Sequence, residues 1–281
     1  MVWPGSQDRL AIAAPGIVPE AKSGSTTLDQ GITAPDEGRL WVRDHAGDPY
    51  LKVLERFHIH LQPNTYFEVG CDRGASLALA QCASLAVDPQ PRLDGVSVIG
   101  SKPVFTLCRK TSDAFFAAHD PKTMLGGPID MAFLDGMHWC EFLLRDFINT
   151  ERHCRRNSVI LLHDCLPVEQ PMAERVFTGT SIRGHHSQSW AGDVWRTALL
   201  LKRRRPDLQI DSYDSGPTGL VCITNLDPRS TLLSDNYALY VQEMLAENLD
   251  TMGIDALFAA MQVESTATIQ DRQGISKRYW L

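Results

Sequence analysis

The chain has 281 residues, 43% of them hydrophobic, enough to bury one substantial core, so a single α/β domain with additions is expected rather than two full domains. Against 34 acidic residues stand 27 basic ones, and the formal charge of −7 argues against a protein whose main partner is nucleic acid, which would demand a clustered positive surface. No run approaches the roughly eighteen apolar residues of a membrane span, and the start carries no basic n-region before an apolar stretch, so neither a membrane partner nor a standard export signal is expected.

Residues 1–47 mix Pro, Gly, Ser, Thr and Asp with little periodicity and read as an extended N-terminal arm. Leu51, Leu54, Phe57 and Leu61 then recur near one helical face, which predicts an amphipathic helix from residue 48 that Pro63-Asn64 ends. Short apolar runs at 66–69, 84–87, 104–108, 129–134 and 158–162 alternate with helical stretches, the pattern of a parallel sheet covered on both faces. Residues 208–213 and 219–224 flank Asp214-Ser-Gly-Pro-Thr218, hairpin chemistry with no room for a crossover helix. The expected fold is therefore α/β and Rossmann-like, a seven-stranded, mostly parallel sheet with helices on both faces and an antiparallel last strand, within a domain over 48–226.

Beyond it, 227–281 reads as a helical extension, with helices at 232–249 and 254–261, and a polar tail from residue 264. The apolar end Tyr279-Trp280-Leu281 is expected to dock on its own core or on a second copy of the chain, giving a homo-oligomer. Seven cysteines lack any Cys-x-x-Cys pair and several lie in apolar runs, so reduced core thiols and a cytoplasmic setting are expected. Residues 165–192, with Pro167, Pro171, Gly179 and Gly184, have loop composition and predict a lid, in which Trp190, Trp195 and His185-His186 would form an aromatic wall. Asp193 stands as a cap for the helix that follows, and Lys202-Arg-Arg-Arg205 as that helix's cationic end.

The segment from Tyr66 holds an apolar strand, a turn with Gly70 and Gly74, and a helix-forming run, which lets backbone approach a ligand at the carboxyl end of the first strand. No Gly-x-Gly-x-x-Gly is present, and Glu68 in the strand end would repel a pyrophosphate while suiting a ligand that carries an ammonium and a sulfonium. Asp88, at the end of the second strand, can accept both ribose hydroxyl hydrogens, a position dinucleotide folds use in the same way.

At Glu68-x-Gly70-x-x-x-Gly74 the chain resembles the class I S-adenosylmethionine-dependent methyltransferases, over roughly residues 50–225. The resemblance implies that Glu68, Gly70, Cys71, Asp72 and Gly74 cradle the methionine end of the cofactor, that Asp88 holds its ribose, and that Ser112 and Asp113, after the third strand, meet its adenine.

The fourth predicted strand ends on Asp135 and turns through Gly136 to present His138 at a helix start, and the fifth ends on His163-Asp164. Neighbouring parallel strands lie about 4.8 Å apart, so Asp135, His163 and Asp164 converge on the cofactor edge and suffice for a divalent metal. Mg²⁺ would favour the carboxylates, whereas His163 also admits Mn²⁺ and softer ions. This pattern resembles the metal-dependent O-methyltransferases, of which the sugar-directed type carries Asp-Gly-x-His and then Glu-Asp. The pair His163-Asp164 departs from that type at one ligand, and Asp135 and Asp164 are the metal positions that match. The likeness makes His138 the general base, beside Asp135, in O-methylation of a small-molecule hydroxyl, a sugar or glycosylated metabolite ahead of a catechol-like ring. Alternatives are an N- or RNA methyltransferase and a non-catalytic cofactor-binding partner protein.

Overall fold

Helix α1 (Tyr50–Leu61) precedes β1 (Thr65–Val69), β2 (Ala83–Val87), α2 (Val96–Ile99), β3 (Phe105–Cys108), α3 (Ser112–Phe116), α4 (Pro121–Leu125), β4 (Ile129–Leu134), α5 (Cys140–Glu151), β5 (Cys154–His163), α6 (Trp195–Arg204), β6 (Gln209–Asp214) and β7 (Leu220–Thr224) in the computed structural model. Four helices follow, α7 (Leu232–Asp235), α8 (Tyr237–Ala246), α9 (Leu249–Met252) and α10 (Ile254–Met261), then β8 (Glu264–Ser265) and α11 (Arg272–Ser276). The structure describes residues 41–281 apart from 94, 183 and 185, so most of the expected arm, and His185 of the expected wall, lie outside the described residues. Residues 40–281 form one compact unit.

The strands make one sheet in the order β3-β2-β1-β4-β5-β7-β6-β8. Strands β1 to β5 pair in parallel, and β7 inserts antiparallel between β5 and β6, as the short Asp214–Thr218 link requires. The Rossmann-like α/β class is as expected, and the strand count differs by one: β8, two residues of the tail, adds in parallel to β6.

Side chains alternate across a strand, and the core divides accordingly. Phe67, Leu85, Ala132, Ile160 and Val221 face the layer of α5, α6 and the C-terminal helices. Tyr66, Ala86, Phe133, Leu161 and Cys222 face α1, through Val53, Leu54 and Phe57, and the tail, through Ile275 and Tyr279. Tyr279 is fully buried and its hydroxyl donates to Asp211 at 2.6 Å, so the tail docks on its own core while Trp280 stays 61% exposed.

Two predicted helices differ. The run after Gly74 forms a single 3-10 turn, Leu77–Leu79, because residues 70–82 must also supply the glycine turn and the entry to β2. The helix expected over 232–249 breaks into three: the Asn248 side chain accepts from the Asp250 and Thr251 amides and starts α9 afresh.

Residues 41–47, assigned above to the arm, are held against the domain. The Arg43 amide donates to the Val168 carbonyl at 2.7 Å, and the His45 ring bridges Asp214 and the Leu166 carbonyl. No helix among the described residues is long and apolar enough to cross a membrane, and all seven cysteines are free.

Candidate active site

The registers Val69↔Leu134 and Leu134↔Leu162 bring the carboxyl ends of β1, β4 and β5 level. The turn after β1 begins at Gly70, whose φ is +81°; a Cβ there would lie 1.9 Å from the Asp135 carbonyl oxygen. Only glycine lets this turn pass so close to the end of β4. Asp72 and Gly74 also adopt positive φ, and Cys71, buried within the turn, accepts from the Gly74 amide at 2.6 Å.

Two carboxylates brace this turn from inside. Glu68 has no exposed surface: it accepts from the Tyr66 hydroxyl at 2.7 Å and from the Ser76 hydroxyl at 2.6 Å. Burial pushes its pKa up to about 7 against the pull of those two hydrogen bonds. Asp88 accepts from the Asp72 and Gln90 amides at 2.9 and 2.7 Å, fastening the end of β2 to the turn. Glu68 thus does not face outward toward a ligand's ammonium. The carboxylates that do reach the surface at this edge are Asp72, 55% exposed and paired with Arg92, and Asp135, 21% exposed. Positive-φ backbone with carboxylates at its mouth fits a methyl donor that carries an ammonium and a sulfonium.

Ser112 and Asp113 lie in the first turn of α3, capped by Thr111. They part ways: Asp113 forms a two-pronged pair with Arg145, both contacts 2.8 Å, while the Ser112 hydroxyl donates to Asp146, a residue the sequence reading missed. Asp146 is buried beside Gly136, and burial raises its carboxyl to about 7.

Asp135, His138, His163 and Asp164 converge at the ends of β4 and β5. His138 Nε2 lies 3.5 Å from Asp135 and 3.2 Å from Asp164; His163 Nδ1 lies 3.2 and 3.4 Å from the same two carboxylates. Burial alone would lower both imidazoles, but the charges of Asp164 and Asp135 outweigh it and raise His138 to about 9 and His163 to about 10. Burial would raise Asp135, yet the His163 charge and the hydrogen bonds from both imidazoles hold it well below the usual carboxylate range. Asp164 sits at φ +61°, turning its side chain back toward β4.

Ligand atoms of Asp135, His138 and Asp164 lie within 4.8 Å of one another, a donor set that fits a divalent ion. The expected set had His163 in the third place, and His163 Nδ1 lies as near to the same two carboxylates as His138 Nε2 does. The Tyr50 ring packs 4.1 Å from His163, whose Nε2 lies 3.4 Å from the Thr218 hydroxyl. Tyr50 and Thr218 carry no local motif, so only the fold reveals them.

His138 Nδ1 lies 2.6 Å from the Trp190 carbonyl oxygen, which can only accept, so Nδ1 carries a proton and Nε2 is the atom left to bind or exchange one. The expected aromatic wall is half present: Trp190 packs against His138 at 4.9 Å and against Phe177 at 6.0 Å, whereas Trp195 is 1% exposed, a core side chain on α6. Asp193 caps α5 rather than α6, accepting from the Cys140 amide at 2.8 Å.

A methyltransferase domain family matches residues 67–165. No curated protein matches the chain. Among solved structures, the O-methyltransferase TomG of Streptomyces achromogenes, in complex with S-adenosylmethionine, aligns at 15% identity and a TM-score of 0.45, over 62% of this chain and 78% of that one. An O-methyltransferase of Bacillus cereus aligns at 12% identity and 0.43, over 65% and 84%, and a methyltransferase of Podospora anserina at 12% and 0.45, over 63% and 77%. The family match takes in both the glycine turn at Gly70–Gly74 and the strand ends that carry Asp135 and His163-Asp164, so the stretch 67–165 is similar to a methyltransferase domain.

Proposed function

We propose that the chain methylates a hydroxyl of a small molecule, with Asp135 and Asp164 holding a divalent ion and His138 as general base. The convergence of two carboxylates and the His138 imidazole at the end of β4, against the glycine turn, carries this reading. S-Adenosylmethionine supplies a methyl carbon made electrophilic by its sulfonium. A divalent ion, Mg²⁺ or Mn²⁺ by the oxygen-rich donor set, would supply Lewis acidity toward the hydroxyl and compensate the two carboxylate charges.

The chain's own residues do the rest. With the Asp135 and Asp164 charges compensated by an ion, the pull that raises His138 would be relieved, and the ring, its Nδ1 proton kept on the Trp190 carbonyl, would accept the hydroxyl proton at Nε2. His163, backed by Tyr50, meets the same two carboxylate oxygens and fixes them in place. The exposed faces of Val176, at 71%, and Phe177, at 48%, continue the Trp190 surface and offer an apolar shelf for the acceptor's ring.

The test is turnover of S-adenosylmethionine with catechol and with methyl glycosides, read as methylated product by mass spectrometry. Asp164→Ala or excess EDTA should lower kcat/KM by at least about a hundredfold. Full turnover in the chelator would overturn the ion's role, and full turnover in His138→Asn the base.

A further inference from the structure

A second group of metal-type donors, Cys140, Glu141 and Asp193, lies at the start of α5. Two guanidinium groups already fill it. Arg175 reaches Glu141 through both its nitrogens, at 2.7 and 3.1 Å, and Asp193 at 2.5 Å; Arg196 reaches Asp193 at 2.7 Å. Asp193 is fully buried, so these bonds act where water competes least.

Arg175 belongs to the long loop between β5 and α6, and the contacts radiating from it run to His138. Its guanidinium lies 4.8 Å over the Trp139 ring, the residue after His138, and its carbonyl accepts from Trp139 Nε1 at 2.9 Å. The adjacent Glu174 carbonyl accepts from Trp190 Nε1 at 2.7 Å. Past Trp190, Gly192 lies so near the His138 backbone that a Cβ would sit 1.9 Å from the His138 carbonyl, which also accepts from the Asp193 amide at 3.2 Å. Both ends of the stretch 174–193 therefore grip the segment 138–141, and between them the Trp190 carbonyl holds His138 Nδ1.

We propose that Arg175 is a positioning residue for His138: its fork into Glu141 and Asp193 latches the loop so that the Trp190 carbonyl keeps the imidazole turned with Nε2 toward Asp135 and Asp164. This rests on the reading of His138 as base only for its effect on turnover. Arginine's planar fork suits the latch, because a lysine at this place would keep the charge and lose the paired geometry.

The experiment uses the full chain with ¹⁵N-labelled histidine, as wild type, Arg175→Ala, Arg175→Lys and the surface control Arg204→Ala, whose parent pairs with Glu243 and lies over the Tyr240 ring, both on α8. In wild type and control the His138 Nδ1 proton should exchange slowly and be visible by NMR, with His138→Asn assigning the signal. Arg175→Ala should erase it, and Arg175→Lys leave it weakened. Turnover should fall about ten- to a hundredfold in kcat for Arg175→Ala, with affinity for S-adenosylhomocysteine changed less than twofold, the mark of misplacement rather than lost binding. A slowly exchanging Nδ1 proton that survives in Arg175→Ala would overturn the latch. A latch that responds by NMR in a chain whose His138→Asn variant turns over normally would instead remove the base reading and leave the latch standing.

Discussion

Glu68 stands near the end of β1 with no exposed surface. Its charge and place in the strand marked it as special, but its two oxygens are spent on Tyr66 and Ser76. Its folded pKa, about 7, stands above the ordinary 4.5, so the folded state holds its proton more tightly and loses stability as pH rises from about 4.5 to 7. Glu68→Gln removes that loss: relative to wild type, its Tm should rise steadily between pH 5 and pH 8, as thermal denaturation would record. A constant difference across that range would contradict a raised carboxyl. Gly70 needs the opposite argument, from space. Gly70→Ala must force a side chain at φ +81° against the Asp135 carbonyl, and urea unfolding should show a loss of at least about 2 kcal/mol.

At the level of elements, short apolar runs, hairpin chemistry and helical spacing located β1 to β7, α1 and α10 to within a few residues, because burial on one or two faces is written directly into the order of apolar side chains. They failed where tertiary geometry set the length, as in the 3-10 turn after Gly74, or where a polar side chain found a distant partner, as with Asp193 on the Cys140 amide. The apolar end of the tail predicts docking on its own core or on a second copy, and only the fold says that Tyr279 fills the face beside Phe57, 5.1 Å between ring centres. Tyr279→Ala should cost about 3–5 kcal/mol in urea unfolding, and Tyr279→Phe, which removes only the bonds to Asp211 and Tyr213, about 1–2 kcal/mol. Equal losses in the two variants would mean that the hydroxyl, not the ring, anchors the tail.

For the whole molecule, a cofactor that binds only the folded chain stabilises all of it by mass action. S-Adenosylhomocysteine at a hundred times its Kd should add about 2.7 kcal/mol, a Tm rise of roughly 5–10 °C for a domain of this size. Mn²⁺ should raise Tm further in wild type and not in an Asp135→Asn, Asp164→Asn double variant; equal shifts in both would place the ion elsewhere.

The sequence by itself determined the α/β order of elements, the glycine turn, and the strand ends that carry Asp135, His138 and His163-Asp164, because hydrophobic period and turn chemistry are local properties of neighbouring residues. Only the tertiary structure decided which partners those groups meet. It seals Glu68 inward, sends Ser112 to Asp146, groups His138 with Asp135 and Asp164, and brings Trp190, fifty-two residues away, onto the His138 ring. Such contacts depend on the closing of a long loop and the level of three strand ends, and no residue pattern shorter than the fold encodes them.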